Sequence, residues 1–348
     1  MAKVLITGFT PRHCGSQKLL REYVNGAQVL PEILRLAGHE VEVRPVKPGE
    51  TLDGYDCALV GVAPPLTVVT THLLGSLWAV SRLGRRAALW AEDWSMEHFQ
   101  HHTNTCLRNP RKYVFERPFK RAHQDEALQL LPPEAWGDLL RDVAQNAARP
   151  LLAWFHGWGD AAGWAAKVKA PGAVRAWDPS GFLRERPWLS CGLKDPLWTP
   201  PGPSYPKERC WVSASLQKCD PWLSKLGLKW PVYRLGNKRQ GQPVLRERDV
   251  VGYYAPRWGV LCPKYKAHGT GWWRARYLHA AFTGSVLLCD RRDAPTPAYD
   301  QSPLELETLP DDRLEAIAAA QARDLWAQSW PAERAVRALD DLVREVGT

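Results

Sequence analysis

The sequence predicts an α/β protein built from two successive units, each organised around a mainly parallel sheet. Three observations predict it. Apolar runs of strand length recur between helical stretches, the pattern of sheets covered on both faces. A Pro-rich run, Lys194–Glu208, interrupts that rhythm in mid-chain and reads as a linker rather than a central strand. Beyond it the rhythm restarts, and the chain closes on two long helical patterns.

The first unit, residues 1–193, opens on strand Val4–Phe9 and a loop containing Gly8, Pro11 and Gly15. A helix from about Ala27 to Ala37 is stopped by Gly38, and strand Val41–Val46 follows. Ala58–Val62 is a third strand, between Gly54 and Pro64-Pro65. The apolar helix Thr70–Leu83 leads to strand Ala87–Glu92, and Leu151–His156 and Val174–Trp177 supply two more. The second unit, residues 209–329, repeats the scheme. Strand Cys210–Leu216, a helical turn Pro221–Leu226 and strand Val232–Gly236 come first. Val250–Ala255 and Gly259–Cys262 continue the sheet, and Ser285–Asp290 completes it. Helix Asp311–Ser329 is broken at Trp330-Pro331, and residues 330–348 carry a last helix, Ala332–Val346, with Pro331 suited to its first position. Each half is Rossmann-like.

Composition narrows the function classes. A chain of 348 residues can hold two domain-sized cores, and 45% apolar with 24% charged residues is the balance of a globular protein. No apolar run reaches membrane-spanning length, and Met1 leads so directly into the first strand that a signal peptide is not expected. Eight cysteines without a CxxC pair argue for a reducing cytoplasm and no disulfide framework. The net charge of +9 favours an anionic partner. Eighteen tryptophans exceed the ordinary needs of a core, so some are expected on surfaces or in clefts, where indoles stack on bases and sugars; ordinary packing is the alternative.

The most informative stretch is Gly269-Thr270-Gly271-Trp272-Trp273-Arg274-Ala275-Arg276-Tyr277-Leu278-His279, followed by Gly284 and strand Ser285–Asp290. It reads as a permissive loop and a helix from about Trp272 to Phe282, closed by Gly284. Gly269, Thr270 and Gly271 let the backbone approach a ligand closely. The helix start offers N–H groups and the positive end of a dipole, and Arg274 and Arg276 add planar, charged donors suited to phosphate. The sum is an anion site, most simply for a diphosphate. The residues alone leave a solvated amphipathic face open. The loop lies between two strand-like runs, where ligands of open α/β sheets bind.

With these residues in view, the chain resembles the GT-B glycosyltransferases, and among them the DNA β-glucosyltransferase of T-even phages and related phage DNA glycosyltransferases. The resemblance is carried by Arg276, the polar His279 one turn later, small residues and a V-L-L-x-D strand, and by Leu235-Gly236-Asn237 after a strand. It implies two Rossmann-like domains facing each other across a cleft, with the C-terminal helix crossing back to the first. It also implies a UDP-sugar donor, most simply UDP-glucose, with Arg276 on the diphosphate and His279, where the family has Glu, on the ribose. Ser213 and Lys218 occupy the first strand–loop of the second domain, where the family contacts phosphate. Gly8 and the loop to Gly15, with Arg12 and His13, would line the cleft opposite the donor, and Asn25 and Gln28 fall near the start of the first helix, where the family touches the sugar. A divalent metal is compatible with such a site, although no DxD-like motif requires one.

Inverting sugar transfer needs a carboxylate to take the acceptor's proton and positive charge on the departing diphosphate. Glu92-Asp93 end the strand that matches the family's base, Asp93 being the closer match; capping of a following helix is the structural alternative. Leu107–Arg121 interleaves Arg108, Arg111, Lys112, Arg117, Lys120 and Arg121 with Tyr113, Phe115 and Phe119, a composition suited to DNA and equally to an ordinary basic surface. Trp154, Trp158 and Trp164 are candidate walls for a flipped base. The resemblance therefore implies a monomeric enzyme in the cytoplasm of an infected bacterium that glycosylates 5-hydroxymethylpyrimidines in double-stranded DNA. The same fold with another acceptor, and a non-catalytic DNA-binding protein, are the rival readings.

Overall fold

The computed structural model describes residues 1–8, 24–47, 49–61, 70–91, 149–168, 174–213, 220–235, 245, 247–263 and 269–348. They form two compact units. The first comprises Met1–Trp154, Ala161–Trp177 and Glu333–Thr348; the second comprises Phe155–Asp160 and Asp178–Ala332. The Pro-rich run, placed by the sequence between the domains, clusters with the second unit. Among the described residues no helix is long and apolar enough to cross a membrane, and Cys57, Cys191, Cys210, Cys262 and Cys289 are free and buried.

The first unit runs β1 (Lys3–Thr7), α1 (Val24–Leu36), β2 (Glu40–Val43), β3 (Cys57–Gly61), α2 (Thr70–Leu83), β4 (Ala87–Ala91), β5 (Leu151–Trp154), α3 (Ala161–Val168) and β6 (Val174–Trp177). All strand pairs are parallel, in the order β2-β1-β3-β4-β5-β6. Val4, Leu5 and Ile6 of β1 and Cys57, Ala58 and Leu59 of β3 are fully enclosed, which is why these strands read as unbroken apolar runs. The winding reverses between β1 and β3. There Gly8 follows β1 at φ +96°, and a Cβ on it would lie 2.3 Å from the Gly61 carbonyl oxygen, so both strand ends need glycine.

The described tryptophans divide between buried and half-buried positions. Trp90, Trp154 and Trp177 stand on adjacent strands β4, β5 and β6, with ring centroids 6.5 Å and then 4.6 Å apart, the second pair edge-on. These three and Trp164 are buried, so these four indoles fill the core of this unit. Trp154 and Trp164 are therefore core residues in this structure, not open walls.

The second unit contains β7 (Glu208–Ser213), β8 (Val232–Arg234), α4 (Glu247–Tyr254), β9 (Arg257–Cys262), α5 (Ala275–Thr283), β10 (Val286–Cys289) and α6 (Asp311–Gln328). Its strands are also all parallel, in the order β10-β9-β7-β8. Val250–Ala255, expected in the sheet, is instead mostly the helix α4. Val250, Val251 and Tyr254 are buried while Arg248 and Asp249 face solvent, a helical spacing that the β-branched pair Val250-Val251 disguises. Trp211, Trp258, Leu261, Val286 and Leu288 pack with Leu314 and Ala318 of α6. The edge strand β10 is closed by a side chain. Gln321 of α6 accepts from the Leu287 N–H at 2.8 Å and donates to the Leu287 carbonyl at 3.0 Å, copying a neighbouring strand. Glu307 similarly accepts from Trp211 Nε1 at 2.7 Å and from the backbone N–H groups of Lys229 and Trp230 at 2.8 Å.

The last helix, α7 (Ala332–Val346), belongs from Glu333 onward to the first unit. Ala335, Leu339, Leu342, Val343 and Val346 form one buried stripe. The Trp177 indole N–H donates to the Ala335 carbonyl at 2.8 Å, and His39 Nε2 lies 2.8 Å from Asp340 Oδ1.

Candidate functional site

The candidate site lies at the carboxyl edge of the second sheet. β7 ends at buried Ser213, β9 at Cys262 and β10 at Cys289, and the winding of this sheet reverses between β7 and β9. Such a reversal opens the crevice that ligands of parallel sheets use. The segment Gly269–Arg274, which follows β9 after an interval, is laid down beside this edge by backbone bonds. The Trp272 N–H donates to the Gly269 carbonyl at 3.3 Å, and the Gly271 N–H donates to the buried Asp293 carboxylate just beyond β10.

A second segment holds the same loop from the other side. Residues 155–160 pair with it: the His156 N–H donates to the Gly271 carbonyl at 2.8 Å, the Asp160 N–H donates to the Thr270 carbonyl at 2.9 Å, and Phe155 and Trp272 form an antiparallel bridge. Gly271 sits at φ +70°, and Gly159 lies against it. The Phe155 and Trp272 rings meet edge-on at 4.9 Å. The pairing explains why α5 begins at Ala275 rather than near Trp272: Trp272 is committed to the bridge, and Arg274 is extended at φ −142°, ψ 124° as the N-cap. Gly284 ends the helix in the left-handed region at φ +60°, as the sequence predicts.

His156 is the centre of this arrangement. Its Nε2 accepts the Arg274 N–H at 3.0 Å, and its Nδ1 lies 3.4 Å from Ser180 Oγ, which in turn accepts Trp273 Nε1 at 3.1 Å. The ring stacks parallel on Trp158 at 4.4 Å and touches Tyr277 at 4.8 Å. Burial, reinforced by the Arg274 charge, pushes the His156 pKa down to about 3, so the ring is neutral and Nδ1 carries its proton. Asp178 accepts from the N–H groups of Ser180 at 2.9 Å and Trp330 at 3.2 Å; burial raises its pKa to about 6 against those bonds.

Arg274 and Arg276 are half-buried at the start of α5. Burial pushes the Cys262 thiol up, and the guanidinium groups of Arg276 and Arg274 oppose that shift, which locates both charges near the end of β9. Two cations and a helix start thus lie near one strand end, an arrangement suited to an anion such as a diphosphate, while Gly271 itself is committed to Asp293, His156 and Gly159.

Of the sequence-predicted residues, Gly269, Thr270, Gly271, Arg274 and Arg276 come together here. Ser213 ends β7, and its carbonyl accepts the Leu235 N–H at 2.8 Å. His279 is fully enclosed on α5, its Nε2 3.3 Å from the Ser190 carbonyl, and burial lowers its pKa to about 4. Lys218, Gly236, Asn237, Glu92, Asp93, Arg108, Arg111, Lys112, Arg117, Lys120, Arg121, Arg12 and His13 lie outside the described residues, as does the side chain of Asn25. His156 and Asp293 were not singled out from the sequence. Their signal was faint: a histidine ending an apolar run before Gly157-Trp158-Gly159, and an acid four residues past the last strand. Among the described residues no group of three or more metal-ligating side chains assembles; Asp290 is held bidentately by Arg292 at 2.9 Å, and Asp293 is engaged by Gly271.

No protein-family model matches the chain, and no curated protein is significantly similar to it in sequence. Solved structures resemble it in fold. The DNA modifying enzyme β-glucosyltransferase, determined in the presence and absence of uridine diphosphoglucose, aligns with a TM-score of 0.52 at 11% identity, covering 99% of this chain and 100% of that one. T4 phage BGT in complex with UDP and Mn2+ aligns with a TM-score of 0.53 at 11% identity, covering 98% and 99%. The chain has a GT-B fold. Within the GT-B fold this chain keeps both parallel sheets and the last helix of the first unit, and the Gly269–Arg276 segment stands at the carboxyl edge of the second sheet.

Proposed function

We propose that this protein is a hexosyltransferase that moves glucose from UDP-glucose to 5-hydroxymethylpyrimidines in double-stranded DNA. The observation that carries the reading is the placement of Arg274 and Arg276 at the start of α5, beside the Gly271 loop and the switch point of the second sheet in a GT-B chain. The solved structures named above, a DNA modifying β-glucosyltransferase and a UDP complex, support the same donor and acceptor classes.

In this reading the hydroxymethyl oxygen attacks the anomeric carbon as the bond to the diphosphate oxygen breaks. Asp93 takes the hydroxyl proton, with Glu92 as the neighbouring carboxylate, and the charge left on UDP is balanced by Arg276 and Arg274. The sugar centre passes through an oxocarbenium-like state and inverts. Ser213, Lys218, Gly236 and Asn237 line the donor side; His279, enclosed against the Ser190 carbonyl, has no part in the ribose contact that the resemblance implies. Arg108, Arg111, Lys112, Arg117, Lys120 and Arg121 bind the DNA backbone, and the target nucleotide is flipped out for reaction. The enzyme works as a monomer in the cytoplasm of the infected host.

The test is to mix the protein with UDP-glucose and DNA containing 5-hydroxymethylcytosine or 5-hydroxymethyluracil, with and without a divalent cation, and to measure UDP release and nucleoside masses. A hexose added only to the modified base is the expected result. UDP binding without transfer to either base would move the acceptor to another class. Absence of UDP binding would overturn the donor assignment.

A further inference from the structure

We propose that His156 is a positioning residue for the donor site, holding the first turn of α5 in register by accepting the Arg274 N–H at its Nε2. The inference rests on the UDP-sugar reading of that site. His156 grips the loop at two points: its own N–H donates to the Gly271 carbonyl at 2.8 Å and its Nε2 accepts from Arg274 at 3.0 Å, so one residue spans the loop from its glycine to its first arginine. The two residues are 118 positions apart in sequence. At the N-cap of α5 the Arg274 side chain makes no capping bond to the first turn, and its backbone N–H is held by His156 Nε2 instead.

An imidazole is not needed for packing here. The ring lies among Trp158, Trp273 and Tyr277, where a phenyl ring would serve, and a buried polar ring is retained at a cost unless its nitrogens are used. The groups facing it are the Arg274 charge and backbone, the Ser180 hydroxyl and the Tyr277 ring, with Asp178 one hydrogen bond further on through the Ser180 N–H. Because Nε2 accepts the Arg274 N–H it carries no proton of its own, so the neutral ring holds its proton on Nδ1, beside the Ser180 hydroxyl.

Two substitutions separate this role from packing. His156→Phe keeps an aromatic ring and loses the acceptor; His156→Gln loses the ring and keeps an acceptor near the same place. UDP affinity is read by calorimetry for each folded variant, alongside the urea midpoint. We expect His156→Phe to bind UDP about tenfold more weakly, the equivalent of one hydrogen bond, and His156→Gln to stay within about threefold of the parent. A purely structural role would lower the midpoint and leave the affinity of the folded protein unchanged, and that result, or equal weakening in both variants, would overturn the inference. If His156→Phe does not fold, the imidazole 15N shifts of the parent decide. A bare Nε2 with Nδ1–H at pH 6 supports the role; an Nε2–H tautomer or an imidazolium overturns it. Failure of the parent itself to bind UDP would instead overturn the donor reading, and this inference with it.

Discussion

Gly159 and Gly271 touch backbone to backbone: a Cβ on Gly271 would lie 2.4 Å from the Cα of Gly159. This contact sets how closely residues 155–160 approach the loop that leads into α5. It also leaves no space for a side chain on either residue, since a Cβ on Gly159 would meet Phe155 Cδ1 at 2.6 Å and the Gly271 carbonyl at 2.9 Å. Gly271→Ala adds a left-handed backbone at φ +70° to that clash. The expected loss is about 2 kcal/mol or more, seen as a lower urea midpoint at unchanged slope, with weaker UDP binding. A midpoint equal to the parent's would mean that the two segments are not packed in this way.

In the proposed donor site Arg276→Ala should weaken UDP, not only UDP-glucose, because the guanidinium is assigned there to the diphosphate. The expected loss is about tenfold or more, from one charge-assisted contact. Arg276→Lys should recover only part of it, since an ammonium lacks the planar fork. Equal UDP affinity in Arg276→Ala would remove this residue from the donor site.

Asp93→Asn should leave UDP-glucose affinity nearly unchanged and lower turnover on modified DNA by about a hundredfold or more, as loss of a general base does. Single-turnover transfer measured at saturating donor is the appropriate readout. Turnover at the parent level would transfer the role to Glu92 or away from this strand.

Stability should fall on acidification below about pH 6.5. His156 and His279 are both buried, and burial lowers their pKa values to about 3 and about 4, so the unfolded chain takes up protons that the folded chain refuses. Their contribution is complete above the unfolded histidine value near pH 6.5 and is lost as the pH falls toward the folded values. Asp178 acts in the opposite sense. Its pKa is raised to about 6, so its contribution is complete below about pH 4 and declines as the pH rises through 6. Two groups outweigh one, and the net loss between pH 6.5 and 4 should be on the order of a few kcal/mol. Urea midpoints across this range measure it. A flat or rising profile on acidification would mean that the histidines are charged in the folded protein.

In the sequence by itself the succession of strands was legible in the first half and, apart from Val250–Ala255, in the second, because apolar run length, glycine stops and proline breaks act between near neighbours. Helix α2 begins and ends at Thr70 and Leu83 as read, and Gly284 closes α5 as read. The sequence also brought Gly269, Thr270, Gly271, Arg274 and Arg276 into one candidate site, since they adjoin one another in the chain. Tertiary structure decided what depends on distant partners. Trp272 is held out of α5 by Phe155, and His279 is enclosed beneath Ser190. Val250 and Val251, strand-like in composition, turn inward on a helix, and Trp90, Trp154 and Trp177 find one another across three strands. His156 acquires its place only through Arg274 and Gly271, far away in sequence. Local periodicity records which face of an element is apolar, but not which distant residue will cover that face or accept a particular N–H; those pairings form only when the chain has folded.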